Sequence, residues 1–226
     1  MWNKGVDDLR NQMIETILRE KLIVIVRGIE KNELIPLAEA LYDGGIRLME
    51  ITYSAGGGVS DDETAEQIHM LSSHMAGRMD IGAGTVLTEA QVQLTADAGG
   101  KFIISPDVCP DVIRRTRELG MVSIPGVLTP TEIQNAVRAG ADFVKLFPAS
   151  TFGVEYIKAI RAPLSNVRLL AVGGISLENI GSYRAAGVKG FGIGTGIVRK
   201  SLIDAGDFSA ITALAKQYRD VAMGEY

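Results

Sequence analysis

Short apolar runs rich in β-branched residues alternate along the chain with longer amphipathic segments. This alternation is typical of successive strand-helix units on a parallel sheet. Eight runs predict eight strands, at residues 22–27, 48–52, 80–86, 102–106, 121–126, 143–148, 169–174 and 188–194. Ahead of the first strand, an apolar stripe at helical spacing predicts an additional amphipathic helix. The stripe consists of Leu9, Met13, Ile14, Ile17 and Leu18.

Glycines and capping residues predict where the helices end and begin. Glycine-containing turns precede every second strand, and a glycine at such a site can take the left-handed conformation that ends a helix. These turns lie at residues 43–45, 98–100, 139–141 and 186–188. Capping boxes predict helix starts at Ser60 with Glu63, at Thr88 with Gln91, and at Thr129 with Glu132, the last with Pro130 at the first helical position.

Eight strand-helix units in 226 residues favour a closed (β/α)8 barrel, the TIM-barrel fold. A doubly wound open sheet is the alternative, but it usually has fewer strands. We expect a single domain over residues 1–226, with the extra N-terminal helix at 1–20 and the barrel at 21–226. The helix is predicted to close the bottom of the barrel, with partner binding as the alternative.

Charge and cysteine content narrow the possible partners and location. The net charge of −4 is spread along the chain without a basic run, which argues against a nucleic-acid partner. No uncharged apolar stretch is long enough to cross a bilayer, so we expect no membrane partner. The single Cys109 fits a reducing cytoplasm. His69 and His74 lack acidic or cysteine partners at ligand spacing, so we expect no metal site and assign both to a solvated helix face.

Three charged side chains are predicted to point into the barrel. Because alternate residues of a strand share a face, Lys145 lies on the inward face with Phe143 and Phe147. The same argument places Glu50 and Arg27 inward. A buried network of ion pairs is the purely structural alternative, but perturbed titratable groups at a barrel mouth favour function.

A lysine and a glutamate in this position suit Schiff-base chemistry. Burial and a neighbouring cation lower the pKa of a lysine, which makes its amine nucleophilic toward a carbonyl. Lys145 can then form an imine, and Glu50 can act as the general acid and base.

Glycines at the ends of the last two strands predict an anion site. Gly173 and Gly174 end the seventh strand, and Gly194 with Thr195 ends the eighth. These strand ends frequently bind phosphate through backbone N–H groups in this fold. Tight turns alone are the alternative explanation.

Seven short motifs follow one another along the chain: Val26-Arg27-Gly28, Met49-Glu50-Ile51-Thr52, Gly82-Ala83-Gly84-Thr85-Val86, Ile104-Ser105-Pro106, Pro125-Gly126-Val127, Lys145-Leu146-Phe147-Pro148 and Val172-Gly173-Gly174-Ile175. In this order they resemble the motifs of the class I aldolases that cleave 2-keto-3-deoxy-6-phosphogluconate (KDPG) and 4-hydroxy-2-oxoglutarate (KHG). The resemblance spans roughly residues 20–222.

The resemblance implies a role for each matching residue. Lys145 forms the imine and Glu50 transfers protons. The resemblance implies that Arg27 and Thr85 line the substrate site and that Pro106 and Phe147 form its walls. It also implies that the phosphate is bound by Gly173, Gly174, Gly194 and Thr195. A homotrimer without a cofactor is implied as well.

The sequence departs from the family pattern at two positions. Ser54 stands where some members have an arginine that helps to hold the pyruvate carboxylate, which leaves Thr85, backbone donors or Arg27 for that task. Val172 stands where gluconate-type members have a threonine, as in members that resemble the galactonate-type aldolases.

We therefore expect cleavage of a 2-keto-3-deoxy-6-phospho-sugar acid to pyruvate and glyceraldehyde 3-phosphate, with KHG cleavage as a further activity. The alternatives are a phosphogalactonate-type aldolase, another phosphate-binding barrel lyase or isomerase that uses Glu50 as a base, and a catalytically silent phospho-ligand sensor. The glycine-rich segment 53–63 is predicted to be either a lid or a simple connection.

Overall fold

The computed structural model describes residues 4–54 and 56–225, and side chains from residue 8 onward. The strands are β1 Leu22–Val26, β2 Leu48–Thr52, β3 Asp80–Gly84, β4 Phe102–Ile104, β5 Val122–Ile124, β6 Gly126–Val127, β7 Val144–Leu146, β8 Leu169–Val172 and β9 Gly190–Ile193. The helices are α1 Lys4–Glu20, α2 Leu34–Asp43, α3 Asp61–His74, α4 Glu89–Asp97, α5 Pro110–Glu118, α6 Pro130–Ala139, α7 Ala149–Arg161, α8 Ile180–Ala185, α9 Lys200–Asp204 and α10 Phe208–Met223, with a 3-10 turn at Lys31–Glu33.

All strand pairs are parallel, in the order β5-β4-β3-β2-β1-β9-β8-β7-β6. The fifth predicted strand forms as two segments, β5 and β6, because Pro125 between them has no N–H to donate to a ladder. The carbonyls of Ser123 and Pro125 still accept hydrogen bonds from the N–H groups of Phe143 (3.2 Å) and Lys145 (2.8 Å). These bonds close the sheet into a barrel, which confirms the predicted fold class.

The predicted helix ends are confirmed, and the predicted starts are confirmed with one exception. A left-handed glycine follows the helix at each of the four predicted turns, with φ of +88° at Gly45, +86° at Gly99, +106° at Gly140 and +88° at Gly187. The capping boxes of α3 and α6 form in full. The box predicted at Thr88 forms only in part, because the Gln91 side chain accepts from the N–H of Leu87 (2.8 Å) and not from that of Thr88.

Helix α1 closes the bottom of the barrel, as predicted. Met13, Ile14 and Ile17 are buried in the same apolar cluster as the inward residues of the strands. An ion pair between Arg10 of α1 and Asp142 (2.5 Å) also joins the helix to the barrel. Leu9 was wrongly assigned to the buried stripe: it is 64% exposed, because the stripe reaches the rim of the barrel there. The first three residues of the predicted helix lie outside the described residues.

The remaining apolar residues form the outer core between strands and helices, including Val144 and Leu146 of β7. None of the helices in the described ranges is long and apolar enough to span a bilayer. His69 is exposed on α3, and His74 pairs with Glu39 at 2.6 Å, in agreement with a solvated helix face.

Candidate active site

Lys145 lies inside the barrel near the C-terminal ends of the strands. Its neighbour Phe143 belongs to the interior cluster, while Val144 and Leu146 face the helices, so the predicted inward orientation of the lysine is confirmed. The lysine is 8% exposed, and its Nζ lies 4.7 Å from the centre of the Phe147 ring. Within the described ranges its amine makes no hydrogen bond or ion pair. The face of the Phe147 ring is therefore a specific contact of this amine.

The surroundings of Lys145 favour the neutral amine. Burial lowers its pKa, and the positive charge of Arg27 acts in the same direction, while the negative charge of Glu50 opposes both. A lysine with a lowered pKa has a larger fraction of free amine at neutral pH, and only the free amine can attack a carbonyl carbon. The position is chemically suited to a Schiff-base lysine.

Glu50 is the second buried titratable group of the interior, with 2% of its surface exposed. Burial raises its pKa to about 7, against the opposing charges of Lys145 and Arg27. A carboxyl group with a pKa near the working pH can both take up and release a proton. The chemistry of this pair is therefore suited to provide a nucleophile and a proton-transfer group.

Gly84 makes the room for the Glu50 carboxyl. A Cβ atom on Gly84 would overlap Oε1 of Glu50, so any larger residue there would displace the carboxyl group. Gly82 likewise leaves space for the ring of Phe102, which a Cβ atom at this position would overlap. The sequence prediction missed both roles, although alternation along β3 places the two glycines on the inward face.

Arg27 and Thr85 meet at the rim of the barrel. Nη2 of Arg27 donates to Oγ1 of Thr85 at 3.1 Å, which joins the ends of β1 and β3. Thr85 has a φ of +56°, a strained conformation for a β-branched residue. Arg27 and Thr52 also line a cavity of about 350 Å3 between the ends of β1 and β2.

Ser54 does not replace the missing arginine. Its Oγ accepts a hydrogen bond from the N–H of Gly58 at 3.1 Å and so stabilises the glycine-rich connection after β2. Residue 55 lies outside the described residues, and a lid function of this segment stays a prediction.

The glycines predicted to hold an anion lie side by side. Val172 of β8 pairs with Gly192 of β9, so Gly173 and Gly174 emerge next to Gly194 and Thr195. Gly173 and Gly174 have φ of +89° and +71°. Both positions favour glycine, because residues with a side chain rarely adopt these φ angles.

Neighbouring side chains pack closely on these glycines. Gly173 lies against the Phe147 ring, and a Cβ on Gly174 would overlap the side chain of Ser150 at the start of α7. Ser150 was not predicted as a site residue, because only the packing of α7 brings it to β8. Phe147 is 42% exposed, and Pro106 is exposed after β4 with its carbonyl against Gly126.

Two cavities of similar size lie at the opposite end of the barrel, beside α1 and α3. Neither of them, nor the cavity beside Arg27 and Thr52, is lined by Lys145 or Glu50, so the candidate site is assigned from these two buried groups and not from a cavity. Among the described residues, no group of three or more His, Cys, Asp or Glu side chains could hold a metal ion.

The fold and this pair of buried groups define a barrel enzyme with a lysine among the C-terminal ends of its strands. Residues 14–214 match the family model described as KDPG and KHG aldolase. The chain belongs to this family, which confirms the resemblance seen in the sequence. It is an aldolase of class I, and hence a lyase.

Known relatives cover nearly the whole chain. A probable 2-dehydro-3-deoxy-6-phosphogalactonate aldolase from Rhizobium meliloti is 41% identical, over 88% of this chain and 92% of its own. A 2-dehydro-3-deoxy-phosphogluconate aldolase from Treponema pallidum is 37% identical, over 91% and 95%. The structure of the KDPG aldolase from Legionella pneumophila, with pyruvate captured as a covalent carbinolamine, aligns with a TM-score of 0.79 at 28% identity, over 90% and 96%.

Proposed function

We propose that Lys145 forms the imine and that Glu50 moves the protons in the aldol cleavage of a 2-keto-3-deoxy-6-phospho-sugar acid. The observation that carries this assignment is the burial of both groups in one barrel interior, with the pKa of Lys145 lowered and that of Glu50 raised. The family match favours this reaction over the isomerase and the silent sensor considered above. Turnover with trapping of the imine tests the assignment, as set out in the Discussion.

The proposed steps follow from the chemistry of the two groups. The Nζ of Lys145 attacks C2 of the substrate, and loss of water from the carbinolamine gives the imine. The Glu50 carboxylate then takes the proton of the C4 hydroxyl, and the C3–C4 bond breaks. Its electrons form an enamine on Lys145 as glyceraldehyde 3-phosphate leaves. Protonation at C3 and hydrolysis of the imine release pyruvate and restore the free amine.

We propose that Arg27 and Thr85 bind the carboxylate of the substrate. The guanidinium and the hydroxyl already contact each other at the rim, so both can donate to one anion. Ser54 is engaged with the backbone of its own loop. Arg27 therefore takes the charge-pairing task that an arginine at position 54 performs in other members of the family.

We propose that Gly173, Gly174, Gly194 and Thr195 bind the phosphate, with Phe147 and Pro106 walling the space between this end and Lys145. Gly174→Asp should raise KM for a 6-phosphorylated substrate at least about tenfold, because it brings a negative charge to backbone donors. KHG carries no phosphate, so its KM in the same variant is the internal control. Equal changes for both substrates would remove the phosphate assignment.

We propose that the physiological substrate is the phosphogalactonate-type sugar acid. Val172 precedes the glycine pair where gluconate-type members have a threonine, and the relative with 41% identity is a probable phosphogalactonate aldolase. The value of kcat/KM should be at least about tenfold higher for this epimer than for the gluconate epimer. Equal values, or a preference for the gluconate epimer, would contradict this choice. KHG cleavage should be measurable as a slower activity.

We further propose that the protein is a homotrimer in the cytoplasm and that it needs no cofactor. The resemblance to the family supports the trimer, and the single cysteine fits a reducing compartment. Sedimentation should give three times the 24.2 kDa of one chain, and cell fractionation should place the protein in the cytoplasm. A monomer in solution would contradict the assembly.

A further inference from the structure

Thr52 ends the strand that carries Glu50, and its side chain shares the inward face two residues further on. The register of the sheet pairs Thr52 with Gly84 of β3. Oε1 of Glu50 fills the space where a side chain on Gly84 would begin. The carboxyl group of Glu50 therefore lies at the level of Thr52 and not at the level of its own backbone.

Two buried oxygens at this level lack partners of ordinary hydrogen-bond geometry. Within residues 4–54 and 56–225, neither Oγ1 of Thr52 nor Oε2 of Glu50 has a hydrogen-bond partner that meets this geometry. The hydroxyl is nevertheless close enough to lower the pKa of Glu50, against the effect of burial. A small rotation of either side chain would pair the two oxygens, and an unpaired buried polar group is costly enough to favour that rotation.

We propose that the hydroxyl of Thr52 positions the Glu50 carboxyl for proton transfer in both of its protonation states. A threonine hydroxyl can donate to a carboxylate and can accept from a carboxylic acid. Its hydrogen follows the proton on Glu50, so the carboxyl keeps one orientation while it takes up and releases a proton. Thr52 acts through Glu50 and is a positioning residue. This inference rests on the proposed role of Glu50.

The charged groups that act on Glu50 come from two other strands. Lys145 lies on β7 and Arg27 follows β1, and both favour the ionised carboxyl. Neither changes when Thr52 is replaced, so a change in the titration of Glu50 would report the hydroxyl alone.

Thr52→Val removes the hydroxyl at nearly constant volume, and Thr52→Ser keeps it. In the valine variant we expect the acid limb of the pH profile of kcat/KM to move up by about 1 pH unit, because both hydrogen bonds are lost and the one to the carboxylate is stronger than the one from the acid. The value of kcat should fall about tenfold, since the carboxyl loses its fixed orientation. The serine variant should restore both, and 13C NMR of labelled glutamate should show the same shift for Glu50.

Several outcomes would overturn the proposal. One is an unchanged acid limb and unchanged NMR titration in Thr52→Val. Another is equal impairment of the valine and serine variants with a lowered Tm, which would show a packing role only. Borohydride trapping of pyruvate is measured on the same samples. Failure to label Lys145 in the unsubstituted protein would remove the proposed function itself, whereas labelling with an unmoved pH limb would remove only the role of Thr52.

Discussion

Gly84→Ala should lower kcat at least about 100-fold, because displacement of a catalytic group by about 1 Å can cost this much. A methyl group at position 84 would occupy the site of Oε1 of Glu50, and the carboxyl would have to leave its place beside Gly84. Steady-state cleavage of the sugar acid measures the loss. Trapping of pyruvate on Lys145 should still occur in this variant, since the lysine itself is unchanged.

Gly181→Ala is the matched control for this substitution. Gly181 lies in α8 and is not one of the residues assigned to the site, and a Cβ there would meet no atom within 4 Å. We expect this variant to keep full activity and an equal or slightly higher Tm, because alanine favours a helix more than glycine does. Wild-type kcat in Gly84→Ala would show that the carboxyl of Glu50 need not lie where the structure places it.

Lys145→Met should lower kcat by about 10,000-fold or more, because methionine retains much of the apolar stem but provides no nucleophile. The protein should remain folded, with a Tm equal to or above that of the unsubstituted chain, since a buried amine is replaced by an apolar group. Activity assays and thermal unfolding measure the two expectations. If Lys145 were only part of an ion-pair network, the variant would be active and destabilised.

The positions of Lys145 and Glu50 could be predicted because they depend on a local rule. Side chains of a strand alternate between two faces, so the apolar neighbours of each residue were sufficient to assign its face. The glycine turns and capping boxes are local for the same reason. The closed barrel could be predicted by counting such units, since the sequence indicates eight strands, each followed by a helix.

Features that depend on packing between distant segments could not be predicted. The role of Gly84 requires the register of β2 against β3, and the contact of Ser150 with Gly174 requires the placement of α7 beside β8. The apolar stripe of α1 continues to Leu9, but the barrel surface on which the helix packs ends before this residue and leaves it exposed. The strained φ of Thr85 likewise could not be predicted, because no residue pattern in the sequence indicates it.

Covalent trapping is the most direct measurement of the central claim. Pyruvate with borohydride should reduce the imine to a stable secondary amine, and mass spectrometry of the peptides should find one pyruvate-derived group on Lys145. Lys145→Met should give no adduct. Labelling of Lys101, which is exposed at the other end of the barrel, or of Lys158, which pairs with Glu155 on the surface, with Lys145 unmodified would contradict the account.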